Sequence, residues 1–143
     1  MNQRSIGLDD LDGTSPRWQH EVRVLVVDDH AIFRGILRDL VAATPGFIVV
    51  GEAACGEEAL AASDALSPEF VLMDVRMPRV GGVEAARRMM ERDPHLVVLL
   101  VSAQELPDLP LAGLSGSGMS VAHKWDLRGS LLQEIWEGRS GVR

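Results

Sequence analysis

Short apolar runs and amphipathic stretches alternate along this chain. The runs are Val22 to Val27, Phe47 to Val50, Val71 to Asp74, Leu96 to Val101 and Met119 to Ala122. Each has strand length and is rich in residues that favour strands, so five strands are predicted. Between them, apolar residues recur at helical spacing. Ala31 to Thr44 carries Ile32, Phe33, Ile36, Leu37, Leu40 and Val41 as one predicted apolar face, stopped by Pro45-Gly46. Gly56 to Leu66 and Val83 to Arg92 predict two further helices, broken by Ser67-Pro68 and Asp93-Pro94. Asp126 is the expected N-cap of a last helix carrying Leu127, Leu131, Leu132, Ile135 and Trp136 on one face, closed by Gly138.

This alternation predicts an α/β fold, a single doubly wound domain on a five-stranded parallel sheet with right-handed crossovers. A parallel sheet is covered on both faces, which explains strands that are apolar throughout rather than alternating. The domain is expected to span residues 22–138. A flexible tail, residues 1–21, precedes it and a short tail, residues 139–143, follows. Glu105 to Gly118 breaks the pattern, with Pro107, Pro110, Gly113, Gly116 and Gly118. Proline starts a helix but does not run through one, and each interior glycine costs about 1 kcal/mol relative to alanine. A short or irregular segment is therefore expected there.

Composition narrows the function classes. The 143 residues carry 14 basic and 21 acidic side chains, a formal net charge of −7, which disfavours nucleic-acid binding. A single cysteine, Cys55, excludes an intrachain disulfide and reads as a small packing residue. No apolar run approaches membrane-spanning length, and the N-terminus lacks a basic-then-apolar signal pattern, so a cytoplasmic location without membrane contact is expected. His20, His30, His95 and His123 are dispersed and read as surface or edge residues.

The chemistry gathers at the strand ends. Strand one runs into Asp28-Asp29, strand three ends at Asp74, strand four at Ser102 and strand five at Lys124. A parallel sheet brings these to one edge, the edge where open α/β sheets bind ligands. Three carboxylates in a small space need a cation, and oxygen donors suit Mg²⁺. A carboxylate can also act as a nucleophile toward phosphorus. An ammonium and a hydroxyl suit the oxygens of a transferred phosphoryl group.

On these residues the chain resembles the response-regulator receiver domains of two-component signalling. The matching pieces are Val24-Leu25-Val26-Val27-Asp28-Asp29-His30, Val71-Leu72-Met73-Asp74-Val75-Arg76-Met77-Pro78 with Gly82, Leu99-Leu100-Val101-Ser102, and Lys124. Val49-Val50-Gly51-Glu52-Ala53 with Gly56-Glu57 resembles the subfamily that usually carries a C-terminal helix-turn-helix domain. The resemblance implies a flavodoxin-like sheet flanked by five helices. It implies Asp74 as phosphoacceptor, Ser102 and Lys124 on the phosphoryl group, and Mg²⁺ held by Asp28, Asp29, Asp74 and the backbone carbonyl of Arg76. Arg76 and Gln104 fall where the family varies its dephosphorylation rate. A sensor histidine kinase is the implied donor, an output protein the implied receiver of the signal, and a homodimer a further candidate assembly.

The chain also departs from the family. Val121 replaces an aromatic residue three positions before the lysine, and Trp125 follows the lysine. The expected function is a stand-alone phosphoacceptor rather than an enzyme. The alternatives are an interaction module that does not use phosphate, or the receiver half of a truncated DNA-binding regulator. An aspartate-nucleophile phosphatase is disfavoured, because Arg76 stands where that family needs a second acid.

Overall fold

The computed structural model describes residues 20–103 and 118–139. In chain order the elements are β1 (Val22–Val27), α1 (Ala31–Ala42), β2 (Phe47–Ala53), α2 (Gly56–Leu66), β3 (Phe70–Asp74), α3 (Gly82–Arg92), β4 (Val97–Ser102) and β5 (Met119–His123). A single turn of 3₁₀ helix (Lys124–Asp126) leads to α4 (Gly129–Glu137). The five strands form one parallel sheet in the order β2-β1-β3-β4-β5. The order reverses beside β1, which opens a crevice at the carboxyl ends of β1 and β3.

Strand periodicity divides the core in two. Leu25, Val27, Val71, Met73, Val98 and Leu100 face one way and pack with Ala59 of α2 and Ala85, Ala86 and Met89 of α3. Val24, Val26, Phe70, Leu72, Val97, Leu99 and Val101 face the other way and pack with Leu37 and Val41 of α1 and Leu132 of α4. Burying each large aliphatic side chain contributes about 1.5–3 kcal/mol. The charged residues beyond the strand ends therefore sit on a well-buried frame. Central β3 and β4 are buried along their whole lengths, whereas edge strands β2 and β5 are partly exposed.

The five-stranded doubly wound fold is as predicted, with local differences. The apolar face expected on α1 is split. Leu37 and Val41 are buried, but Ile32 is 84% and Ile36 53% exposed. At roughly 100° per residue, Ile32 and Ile36 form a second stripe turned away from the sheet. α1 ends at Ala42 rather than Thr44, and the buried Thr44 hydroxyl donates to the Leu40 carbonyl at 2.7 Å. β2 continues past Val50 because Gly51, Glu52 and Ala53 keep pairing with Leu25, Val26 and Val27 after a bulge.

Asp126 does not cap the last helix. It lies in the 3₁₀ turn, Leu127 is extended, and α4 begins at Gly129 after Arg128, with no side-chain cap. Cys55, read as a packing residue, caps α2 instead, its Sγ accepting from the Glu58 N–H at 3.5 Å. Trp136 is partly buried and packs against the core beside Phe70, with ring centroids 6.5 Å apart. Four α-helices lie among the described residues. Of the stretch Glu105 to Gly118, where a short or irregular segment is expected, residues 105–117 lie outside the described residues, as does Gln104. Among the described residues no helix is long and apolar enough to cross a membrane.

Candidate functional site

Register aligns the strand ends. Val27 pairs with Met73, Asp74 with Val101 and Ser102 with His123. Residues at or just beyond these positions therefore meet at one edge, as the strand pattern predicts. Asp28 is fully buried, Asp74 is 4% and Ser102 1% exposed. Lys124 reaches in from the turn after β5, its Nζ 3.4 Å from Asp28 Oδ2 and 3.7 Å from Asp74 Oδ1. The same Nζ lies 4.0 Å from the centre of the Phe33 ring, so an aromatic face on α1 holds the ammonium from its other side.

Asp28 is held on several atoms. Its N–H donates to the Ala53 carbonyl at 3.1 Å, and its Oδ1 accepts from the His30 N–H at 2.8 Å. Its carbonyl accepts from Arg34 Nη1 at 2.7 Å. Asp28 Oδ2 and Asp29 Oδ1 are buried yet find no hydrogen-bond donor among the described residues. Single atoms of Asp28, Asp29, His30 and Asp74 lie within 4.8 Å of one another.

Two of these participants were not legible as site residues from sequence. His30, read as one of four dispersed histidines, has Nδ1 3.2 Å from Asp29 Oδ1 and 3.5 Å from Asp28 Oδ1, although its side chain is 71% exposed. Its adjacency to the acid pair was the available signal. Arg34 had none, because it acts on a backbone oxygen.

Asp74 is raised from an ordinary 3.8 to about 6. Burial is the main cause, and the neighbouring Asp28 charge adds to it. The Lys124 charge and a hydrogen bond from the Arg76 backbone N–H work in the opposite direction. The Arg76 side chain points to solvent. The loop beyond it closes tightly: the Gly82 N–H donates to the Val75 carbonyl at 2.9 Å, and a Cβ on Gly82 would collide with the Asp74 carbonyl oxygen. Only glycine lets α3 start this close to the end of β3.

Val121 is partly buried against the α2–α3 side of the core, so no aromatic ring occupies that position. Trp125 is 65% exposed and stacks on His123, with centroids 4.7 Å apart.

Three clustered carboxylates have one ammonium near them, paired with Asp28 and Asp74, and two buried carboxylate oxygens find no hydrogen-bond donor among the described residues. Buried negative charge only partly compensated in this way is costly unless a cation is coordinated. The oxygen-rich donor set fits a hard divalent cation such as Mg²⁺.

Comparison with known proteins agrees with this geometry. The family model for the response regulator receiver domain matches residues 24–126. The response regulator GacA of Pseudomonas aeruginosa is 42% identical over 89 residues, covering 62% of this chain and 42% of that protein. The chain thus spans less than half the length of this relative. Among solved structures, the receiver domain of NarL from Mycobacterium tuberculosis superposes with a TM-score of 0.73 at 30% identity, covering 84% of this chain and 99% of that one. The response regulator domain of CheB from Thermotoga maritima gives 0.71 at 29% identity, covering 82% and 96%. Likeness to GacA and NarL accords with the subfamily suggested by Val49 to Glu57. The buried acids, the lysine at their centre and a family match across most of the fold lead to one conclusion: this chain belongs to the response regulator receiver domain family.

Proposed function

We propose that this chain is a phosphoacceptor in which Asp74 takes a phosphoryl group from a phosphohistidine on a sensor kinase. The observation that carries this reading is the placement of Asp74: buried, at the crevice of the sheet, between a carboxylate pair and the Lys124 ammonium. In the transfer, an Asp74 carboxylate oxygen bonds to phosphorus as the P–N bond breaks, and the kinase histidine leaves with the bonding electron pair. Lys124 pairs with the transferred oxygens, and the Ser102 hydroxyl, buried at the end of β4, donates to one of them. Asp28, Asp29, Asp74 and the Arg76 carbonyl would hold Mg²⁺, which when bound neutralises charge on the phosphoryl oxygens. Burial that raises Asp74 works against the anion that must attack, and Lys124 offsets part of that cost.

The unit spanning residues 22–138 would act in the cytoplasm and report to a protein partner. Whether its output lies on a separate protein or on the same polypeptide distinguishes two readings. The second, a receiver portion of a longer regulator, is favoured by the chain covering only 42% of GacA.

Incubation of the protein with a small acyl phosphate and Mg²⁺, followed by intact mass, tests the proposal. One phosphoryl addition that a chelator prevents is expected. No addition, or addition unaffected by chelation, would contradict it.

A further inference from the structure

We infer that Arg34 is a positioning residue for the metal site, and that Glu52 acts through it. This rests on the metal-binding part of the function proposed above. Arg34 lies in α1, six residues beyond Asp28, and its side chain is only 22% exposed. Its Nη1 donates to the Asp28 carbonyl at 2.7 Å, while its Nε donates to Glu52 Oε1 at 3.3 Å. Glu52 belongs to β2, next to Ala53, whose carbonyl accepts the Asp28 N–H. The end of β2 thus grips Asp28 on both sides, directly through Ala53 and indirectly through Glu52 and Arg34.

The gripped oxygen belongs to the peptide that joins Asp28 to Asp29. A peptide unit is planar, so anchoring its oxygen fixes the plane from which both acid side chains depart. Neither acid is long enough to correct a rotated backbone by itself. Arginine suits this task because its rigid fork serves two acceptors in fixed directions. Arg38 also approaches Glu52, with Nη1 3.4 Å from Oε2, but does not share the contact to Asp28.

Charge and geometry predict opposite signs. Arg34 is a cation near a cation site, so removing it should strengthen Mg²⁺ binding if charge alone mattered. If it positions the acids, removing it should weaken binding. Outer partners of metal ligands typically change affinity by tenfold or more when lost.

Mg²⁺ titration of the full chain by calorimetry decides between them. Arg34→Gln should weaken binding by about tenfold, and Arg34→Lys by less, since one ammonium replaces a two-pronged donor. Glu52→Gln should weaken it by about threefold, and the double variant should bind no worse than Arg34→Gln, as for residues acting in series. Arg38→Gln should bind like the unaltered protein. Unchanged or tighter binding by Arg34→Gln, or additive losses in the double variant, would overturn the inference. Should Arg34→Gln fail to fold by circular dichroism, Arg34→Lys and Glu52→Gln carry the test, and unchanged affinity in both overturns it. Absence of Mg²⁺ binding by the unaltered protein would remove the metal-site reading and this inference with it.

Discussion

At the amino edge of the sheet, Arg23 donates to the carbonyls of Leu66 and Ser67, each at 2.6 Å, and its N–H donates to Glu69 Oε1 at 3.0 Å. The other Glu69 oxygen meets His20 at 3.0 Å. At the carboxyl edge, Asp28 and Asp74 share one lysine while Asp29 approaches the His30 ring, and among the described residues Asp28 Oδ2 and Asp29 Oδ1 find no hydrogen-bond donor. Both edges close the same strands with the same kinds of residue. Arg23 completes the carbonyl end of α2, where a cation is favoured by the helix dipole. Its charge therefore finishes structure. The acids at the opposite edge are only partly satisfied: Asp28 takes the His30 N–H and pairs with Lys124, yet two buried carboxylate oxygens find no donor among the described residues, and their burial weakens the fold unless a ligand completes them. The difference separates charge that holds the fold from charge kept for chemistry.

The contrast can be broken most severely at Asp74. Asp74→Asn should abolish labelling by an acyl phosphate, read by intact mass, whereas Arg23→Gln should leave labelling unchanged. Labelling of the Asn variant at the normal rate would remove the assigned nucleophile.

Stability sharpens the same contrast. Asp74 is raised above its ordinary value, so its contribution is fully present below about pH 4 and is lost as pH rises through about 6. In metal-free protein, Asp74→Asn should therefore be more stable than the parent at pH 8, by up to about 3 kcal/mol. The gap should close toward pH 4 in denaturant melts. A gap of constant size across this range would show that ionisation of Asp74 is not its cause.

Asp29→Ala should weaken Mg²⁺ binding by about tenfold, about 1.4 kcal/mol, because one hard oxygen donor is lost. Calorimetry giving equal affinities would take Asp29 out of the ligand set. The smallest effect belongs to the amino edge. Arg23→Gln should lower stability by about 1 kcal/mol, the usual worth of such hydrogen bonds, with no change in Mg²⁺ affinity. A weakened metal site in that variant would show the two edges to be coupled.

Strand ends were the most legible part of the chain. Apolar runs closed by Asp28, Asp74, Ser102 and Lys124 predict one edge because strand polarity in a parallel sheet leaves no other arrangement. Helical periodicity was less decisive. On α1 it marked six apolar residues but could not say that the stripe of Ile32 and Ile36 turns outward, since that depends on where the sheet lies. Asp126 carried a good capping residue type, yet the tight turn after β5 delayed the helix to Gly129. Arg34 was invisible because its acceptor is a backbone carbonyl, which has no signature in a sequence. The proximity of His30 to the acids depends on the path of the chain after Asp29, which spacing alone does not specify.

Everything proposed for the carboxyl edge depends on the buried acid of β3 being the nucleophile. Borohydride reduction of the labelled protein, followed by peptide mass mapping, tests it most directly, because it converts an aspartyl phosphate to homoserine at the residue that carried it. Homoserine is expected at position 74 and at no other acid, with none formed when Mg²⁺ is chelated before labelling. Homoserine at position 28 or 29, or a label that resists reduction and maps to a histidine, would contradict it.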